Sequence, residues 1–175
     1  MKKKLADLLK GSDRRSIGRA NQVAATIENN PRLFSELISN LWSDDPVTRM
    51  RAADGAEKVS RDKPQLLRSH KRELLGLLAE TQQQELRWHL AAMIPRLELT
   101  PAERAKAADA LEGFLDDRSS IVRTFALQGL ADLATQDPRM REGVIEKLRE
   151  ATRNGTPAMK ARSRKLLSKL EHKRD

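Results

Sequence analysis

Four apolar-basic pairs recur along this chain at an almost constant interval: Met50-Arg51, Leu86-Arg87, Val122-Arg123 and Met159-Lys160 are separated by 36, 36 and 37 residues. A fixed period of this length restricts the fold more than composition does, because each repeat must then be one small unit that buries its apolar face only against its neighbours. A second series keeps the same beat. Leu37, Leu74, Leu111 and Leu148 follow one another at intervals of 37, and Leu41, Leu78 and Leu115 run four residues behind the first three. Within a unit the apolar residues stand three and four apart, as in Phe34, Leu37, Ile38 and Leu41 or in Leu67, Leu74, Leu75 and Leu78, which is the spacing of one helix face. No stretch alternates as a strand would.

Proline placement marks where the helices begin. Proline suits the first helical turn, where its missing N–H would have had no partner, and a side-chain acceptor just before it completes the start signal. Asn30-Pro31, Asp45-Pro46, Thr100-Pro101, Asp137-Pro138 and Thr156-Pro157 all have this form. Thr100-Pro101-Ala102-Glu103 also reads as a capping box, in which Glu103 reaches back to the backbone of the capping threonine. These signals predict helices near 3–10, 15–29, 31–41, 46–60, 64–79, 82–97, 101–115, 119–134, 138–153 and 157–172.

Six residues before each basic member of the first series stand Asp45, Thr81, Asp117 and Asn154. Here the chain resembles the HEAT-repeat family, whose pattern sets an aspartate in the turn and an arginine six residues on, with these residues laddering between neighbouring repeats. Asp45 with Arg51 and Asp117 with Arg123 match that pattern, Thr81 with Arg87 and Asn154 with Lys160 in part, and the segment 116–123 is its fullest instance. The resemblance implies an all-α fold, an α-solenoid of about four antiparallel helix pairs with terminal capping helices. Its expected organisation is a basic segment with a short helix over 1–14, and an array over 15–172 made of 15–41, 46–79, 82–115, 118–153 and a capping helix 157–172. A basic tail follows over 173–175. Ile17 opens a divergent first unit, Glu57 and Lys58 depart from the apolar pattern of a first helix, and Lys71 stands where Phe34, Ala108 and Ile145 stand, which predicts that it snorkels its charge to water.

The net charge of +9 suggests a nucleic-acid binder until it is divided along the chain. Residues 1–20 hold seven Lys/Arg against two Asp, and residues 156–175 seven against Glu171 and Asp175, so each end carries +5 and the body about −1. A balanced body with 34% charged residues fits long solvated helix faces better than a phosphate-tracking groove. Cysteine is absent and His70, His89 and His172 are scattered, so neither a disulfide nor a zinc site is expected, nor any cofactor. The start of the chain does not read as a signal segment, and no run approaches the roughly 18 apolar residues of a membrane span, which leads to the expectation of a cytoplasmic protein.

No phosphate-binding glycine loop, nucleophile elbow or metal-ligand spacing occurs, so no enzymatic activity is expected. The acidic pairs Asp44-Asp45 and Asp116-Asp117 precede helices, where carboxylates cap N–H groups. Arg87-Trp88-His89 could stack on a base, but the triplet reads more simply as packing in a helix that Pro95 ends. HEAT-like DNA glycosylases engage damaged bases with inner-surface tryptophans and an aspartate; here Trp88 falls on a first helix and only Trp42 ends an inner one. The expected function is therefore a non-catalytic scaffold or adaptor that binds a protein partner along its second, inner helices. Arg68 and Arg72 are the candidate contact residues, and Asp45, Arg51, Arg87, Asp117, Arg123 and Lys160 the structural ladder. The alternative is a nucleic-acid-binding protein that uses its basic ends.

Overall fold

The computed structural model describes residues 5–11 and 18–172, and among these every regular element is a helix. In chain order they are α1 (Leu5–Leu9), α2 (Ala20–Asn29), α3 (Phe34–Ser39), α4 (Pro46–Asp62), α5 (Lys71–Glu80), α6 (Gln84–Met93), α7 (Pro101–Gly113), α8 (Ser120–Gln136), α9 (Arg141–Asn154) and α10 (Pro157–Glu171). Ile17 and the tail at 173–175 lie outside the described residues. Pro46, Pro101 and Pro157 open α-helices whose N-caps Asp45, Thr100 and Thr156 each accept a bond from the first turn, and the capping box of Thr100 and Glu103 is complete. Pro31 and Pro138 instead open short 3-10 turns, Pro31–Leu33 and Pro138–Met140, which lead into α3 and α9. Similar turns at Pro64–His70, Ile94–Arg96 and Phe114–Asp116 replace the ends expected to be α-helical, and α6 stops at Met93, just before Pro95. No described helix is long and apolar enough to cross a membrane.

The even-numbered helices meet in succession, α2 on α4, α4 on α6, α6 on α8 and α8 on α10, while α3, α5, α7 and α9 each pack on even-numbered neighbours and α5 also meets α7. One apolar core runs from Leu5 to Leu170. Leu37, Leu74, Leu111 and Leu148 are all fully enclosed in it, and Met50, Leu86, Val122 and Met159 are buried too. Gly129 allows α8 its approach to α6, since a Cβ there would stand 2.7 Å from the Ala91 carbonyl oxygen. Lys71 behaves as a snorkelling residue: its ammonium reaches Glu103 at 2.8 Å, above the aliphatic stem.

The sequence pattern sets Asp45 with Arg51 and Asp117 with Arg123 in a ladder between neighbouring units, and the two members of each pair do not meet each other. Residues six apart in a helix are turned by about 240° and share no face. Asp45 accordingly spends its oxygens on Val47 N, Thr48 N and the Thr48 hydroxyl. Arg51, buried, donates to the carbonyls of Leu9 and Lys10 at the end of α1. Asp117 accepts from Ser119 N at 2.7 Å and from Arg87, one unit earlier, at 2.5 Å. Burial opposes ionisation of Asp117, but these two donors outweigh it and hold its carboxyl below the usual range. Arg104 with Asp137 at 3.4 Å joins α7 to the turn before α9 in the same sense. Arg123 takes no part, its buried Nε having no hydrogen-bond partner, and Lys160 makes no ion pair among the described residues.

The polar break at Glu57 and Lys58 proves to be a seam between α4 and α6. Glu57 is only 5% exposed, yet it accepts from Arg61 at 2.9 and 2.7 Å and from Arg96 at 2.5 Å. Arg96 also donates to the Glu57 carbonyl and the Ser60 hydroxyl. Burial alone would favour the neutral form of Glu57 and raise its pKa, but the hydrogen bonds from Arg61 and Arg96 prevail and hold it below the ordinary value. Lys58 turns to Asp54 and Asn21, both at 2.6 Å.

Candidate binding groove

Between α3 and α5, on the side of the odd-numbered helices, lies an open groove of about 640 Å³. One wall carries Ser35, Ser39 and Trp42, and the other His70, Arg72, Glu73, Gly76, Leu77 and Glu80. Trp42 closes the 3-10 turn Asn40–Trp42, and this tightening turns Leu41 into the core while leaving Trp42 47% exposed. On α5 the positions 72, 76 and 80 stand one turn apart along a ridge. Gly76 is a saddle in that ridge, with open space where its side chain would be. A second groove of about 400 Å³ on the other side of α5, lined in part by Lys106 and Ala110 of α7, shares Arg72 and Gly76 with the first.

The two arginines singled out from the sequence differ in their surroundings. Both are exposed and stand apart from the enclosed Leu67, Leu74 and Leu78. Arg68 is tied to Glu98 in a solvent-exposed ion pair. Arg72 makes no ion pair among the described residues, so its guanidinium is the available cation of the groove.

Ser35, His70 and Glu73 form a hydrogen-bonded chain that sequence reading missed. The Ser35 hydroxyl lies 3.0 Å from His70 Nε2, and His70 Nδ1 lies 3.2 Å from Glu73. The signal for it was the repeat itself: Ser35 and His70 stand 35 residues apart, close to one period, and such residues become neighbours when units stack. Nucleophilic catalysis would also need donors aimed at a developing oxyanion. Ser35 sits inside a helical stretch that begins at Pro31, where backbone N–H groups are spent on carbonyls one turn back. The chain of three thus orients polar groups in the groove wall. The sequence matches no family model and no curated protein.

Trp88 and His89 lie elsewhere, on the even-helix side. Trp88 packs at 5.1 Å from Phe125, and His89 is 1% exposed, with Nδ1 bonded to the Glu85 carbonyl and Nε2 3.6 Å from Asp54. Of the acidic pairs, Asp45 caps α4 and Asp117 is held by Ser119 N and Arg87, while Asp44 and Asp116 face water. Among the described residues no group of histidines and carboxylates could hold a metal ion.

Proposed function

We propose that this chain is a HEAT-like α-solenoid that acts as a non-catalytic scaffold, holding an acidic, apolar-anchored segment of a protein partner in the groove between α3 and α5. The observation that carries this reading is the pairing, across one groove, of an exposed indole with a cation that has no ion-pair partner among the described residues: Trp42 on one wall and Arg72 on the other. Tryptophan and arginine are the side chains that most often dominate protein interfaces, and both offer large contact area together with directional or electrostatic preference. The repeat arrangement is supported by the successive packing of even-numbered helices and by the Arg87–Asp117 bond between neighbouring units. Trp88 favours no base-stacking role, since its ring is partly buried against Phe125.

The test uses the full chain against an array of acidic peptides that each carry one aromatic or aliphatic anchor. Binding should fall about ten-fold or more in Trp42→Ala and in Arg72→Glu, with helical content and melting temperature preserved because neither side chain belongs to the core. A chain that ignores every peptide, yet binds generic DNA or RNA at about 50 mM salt and releases it near 200 mM, would support the basic ends and overturn the groove.

A further inference from the structure

A second pocket, independent of the Trp42 groove, lies where α8, α9 and α10 converge. We infer that it binds a carboxylate carried on an apolar tail, and that Arg123 is the cation that receives it. The pocket measures about 490 Å³, and Leu115, Leu127, Ala151 and Met159 give it an apolar lining. That volume lies within the range of small-molecule sites, and such sites typically set a few polar groups in apolar walls.

The corresponding arginine 36 residues earlier has different surroundings. Arg87 is fully engaged: it donates to the Thr81 carbonyl at 2.9 Å, to Asp117 at 2.5 Å and to Gln82 at 2.5 Å. Arg123 stands 36 residues later, and the residue that follows Asp117 at the repeat interval of 37 is Asn154. Its amide donates to Glu150 at 2.6 Å. So the carboxylate that meets Nη1 of Arg87 has no counterpart for Arg123, which lines the pocket and makes no ion pair among the described residues. A guanidinium at an apolar pocket wall with no anionic partner would be satisfied by a ligand carboxylate through the fork geometry that arginine offers.

The other charged side chains of the pocket already have partners. Glu150 is held by Arg153 at 2.9 Å as well as by Asn154, Glu146 stands 3.9 Å from Arg153, and Lys147 is 3.4 Å from Glu112. Two glutamates near the rim disfavour a doubly charged phosphate more than a single carboxylate. The apolar lining in turn favours an aliphatic tail over a small polar acid.

The chemistry is shared by a free aliphatic acid and by the C-terminal carboxylate of a peptide ending in leucine, and calorimetry on the full chain separates the two. The probes are decanoate with decanol as its neutral counterpart, and an acetylated tetrapeptide ending in Leu with its C-terminal amide. At least one acid should bind about ten-fold or more tightly than its neutral counterpart, and the acid that does so identifies the source. Arg123→Gln should remove that preference. Asn154→Asp should bring a competing carboxylate to the pocket wall from within the chain and weaken acid binding about ten-fold. Equal binding of acid and neutral probe, unchanged binding in both variants, or no binding of either acid at millimolar concentration would overturn the assignment.

Discussion

Replacing Arg96 with methionine should destabilise the chain by about 3–5 kcal/mol, the scale for removing one partner of a buried ion pair. Methionine keeps the apolar stem but strands the Glu57 carboxylate, which is 5% exposed, along with the Glu57 carbonyl and the Ser60 hydroxyl that Arg96 also serves. Arg61 remains, but its side chain is 62% exposed and it cannot replace a donor arriving from the next unit. The double variant Glu57→Met with Arg96→Met should lose much less than the single one, because no buried charge is left behind. The pH dependence has a definite sign. Glu57 is held below its ordinary value of 4.5, so its share of stability is complete above that value and is lost as pH falls through the lowered one. The deficit of Arg96→Met should accordingly be largest near neutrality and narrow on acidification below 4.5. Urea denaturation followed by circular dichroism across that range measures both effects; a deficit under about 1 kcal/mol at pH 7 would mean that the seam is not load-carrying.

A comparable loss is expected at the leucine series. Leu74→Ala should cost about 2–5 kcal/mol, since Leu74 is fully enclosed and its removal leaves a cavity where α5 joins the core. Leu75→Ala, one residue along and only partly buried, should cost distinctly less. Equal losses would show that the face given by the 37-residue series is not the face that packs.

The packing face and the helix starts were legible in the sequence, and for definite reasons. Apolar residues at helical spacing can only pack, which is why Leu37, Leu74, Leu111 and Leu148 are all enclosed. Asp45, Thr100 and Thr156 each cap a helix that a proline opens, whereas Asn30 before Pro31 makes no side-chain cap bond. The partners of charged side chains were not legible. Asp117 and Arg123 look like a pair in the linear chain, but helix geometry turns them apart and Arg87 arrives from the unit before. Glu57 looked like a flaw in its helix because one of its two arginine partners, Arg96, is 39 residues away. The groove shows the same limit. Trp42 and Arg72 were visible individually, but the residues that join them, Ser35, His70 and the saddle at Gly76, become neighbours only once α3 and α5 lie side by side.

The most direct measurement compares two double-mutant cycles on the full chain, Arg87→Gln with Asp117→Asn and Asp117→Asn with Arg123→Gln, each read by chemical denaturation. If units couple to their neighbours through the repeat, the first cycle should give a coupling of about 1–3 kcal/mol, since the two side chains meet at 2.5 Å and are largely buried, and the second should be additive. Additivity in the first cycle, or coupling confined to the second, would contradict the stacking of units at 36 to 37 residue intervals.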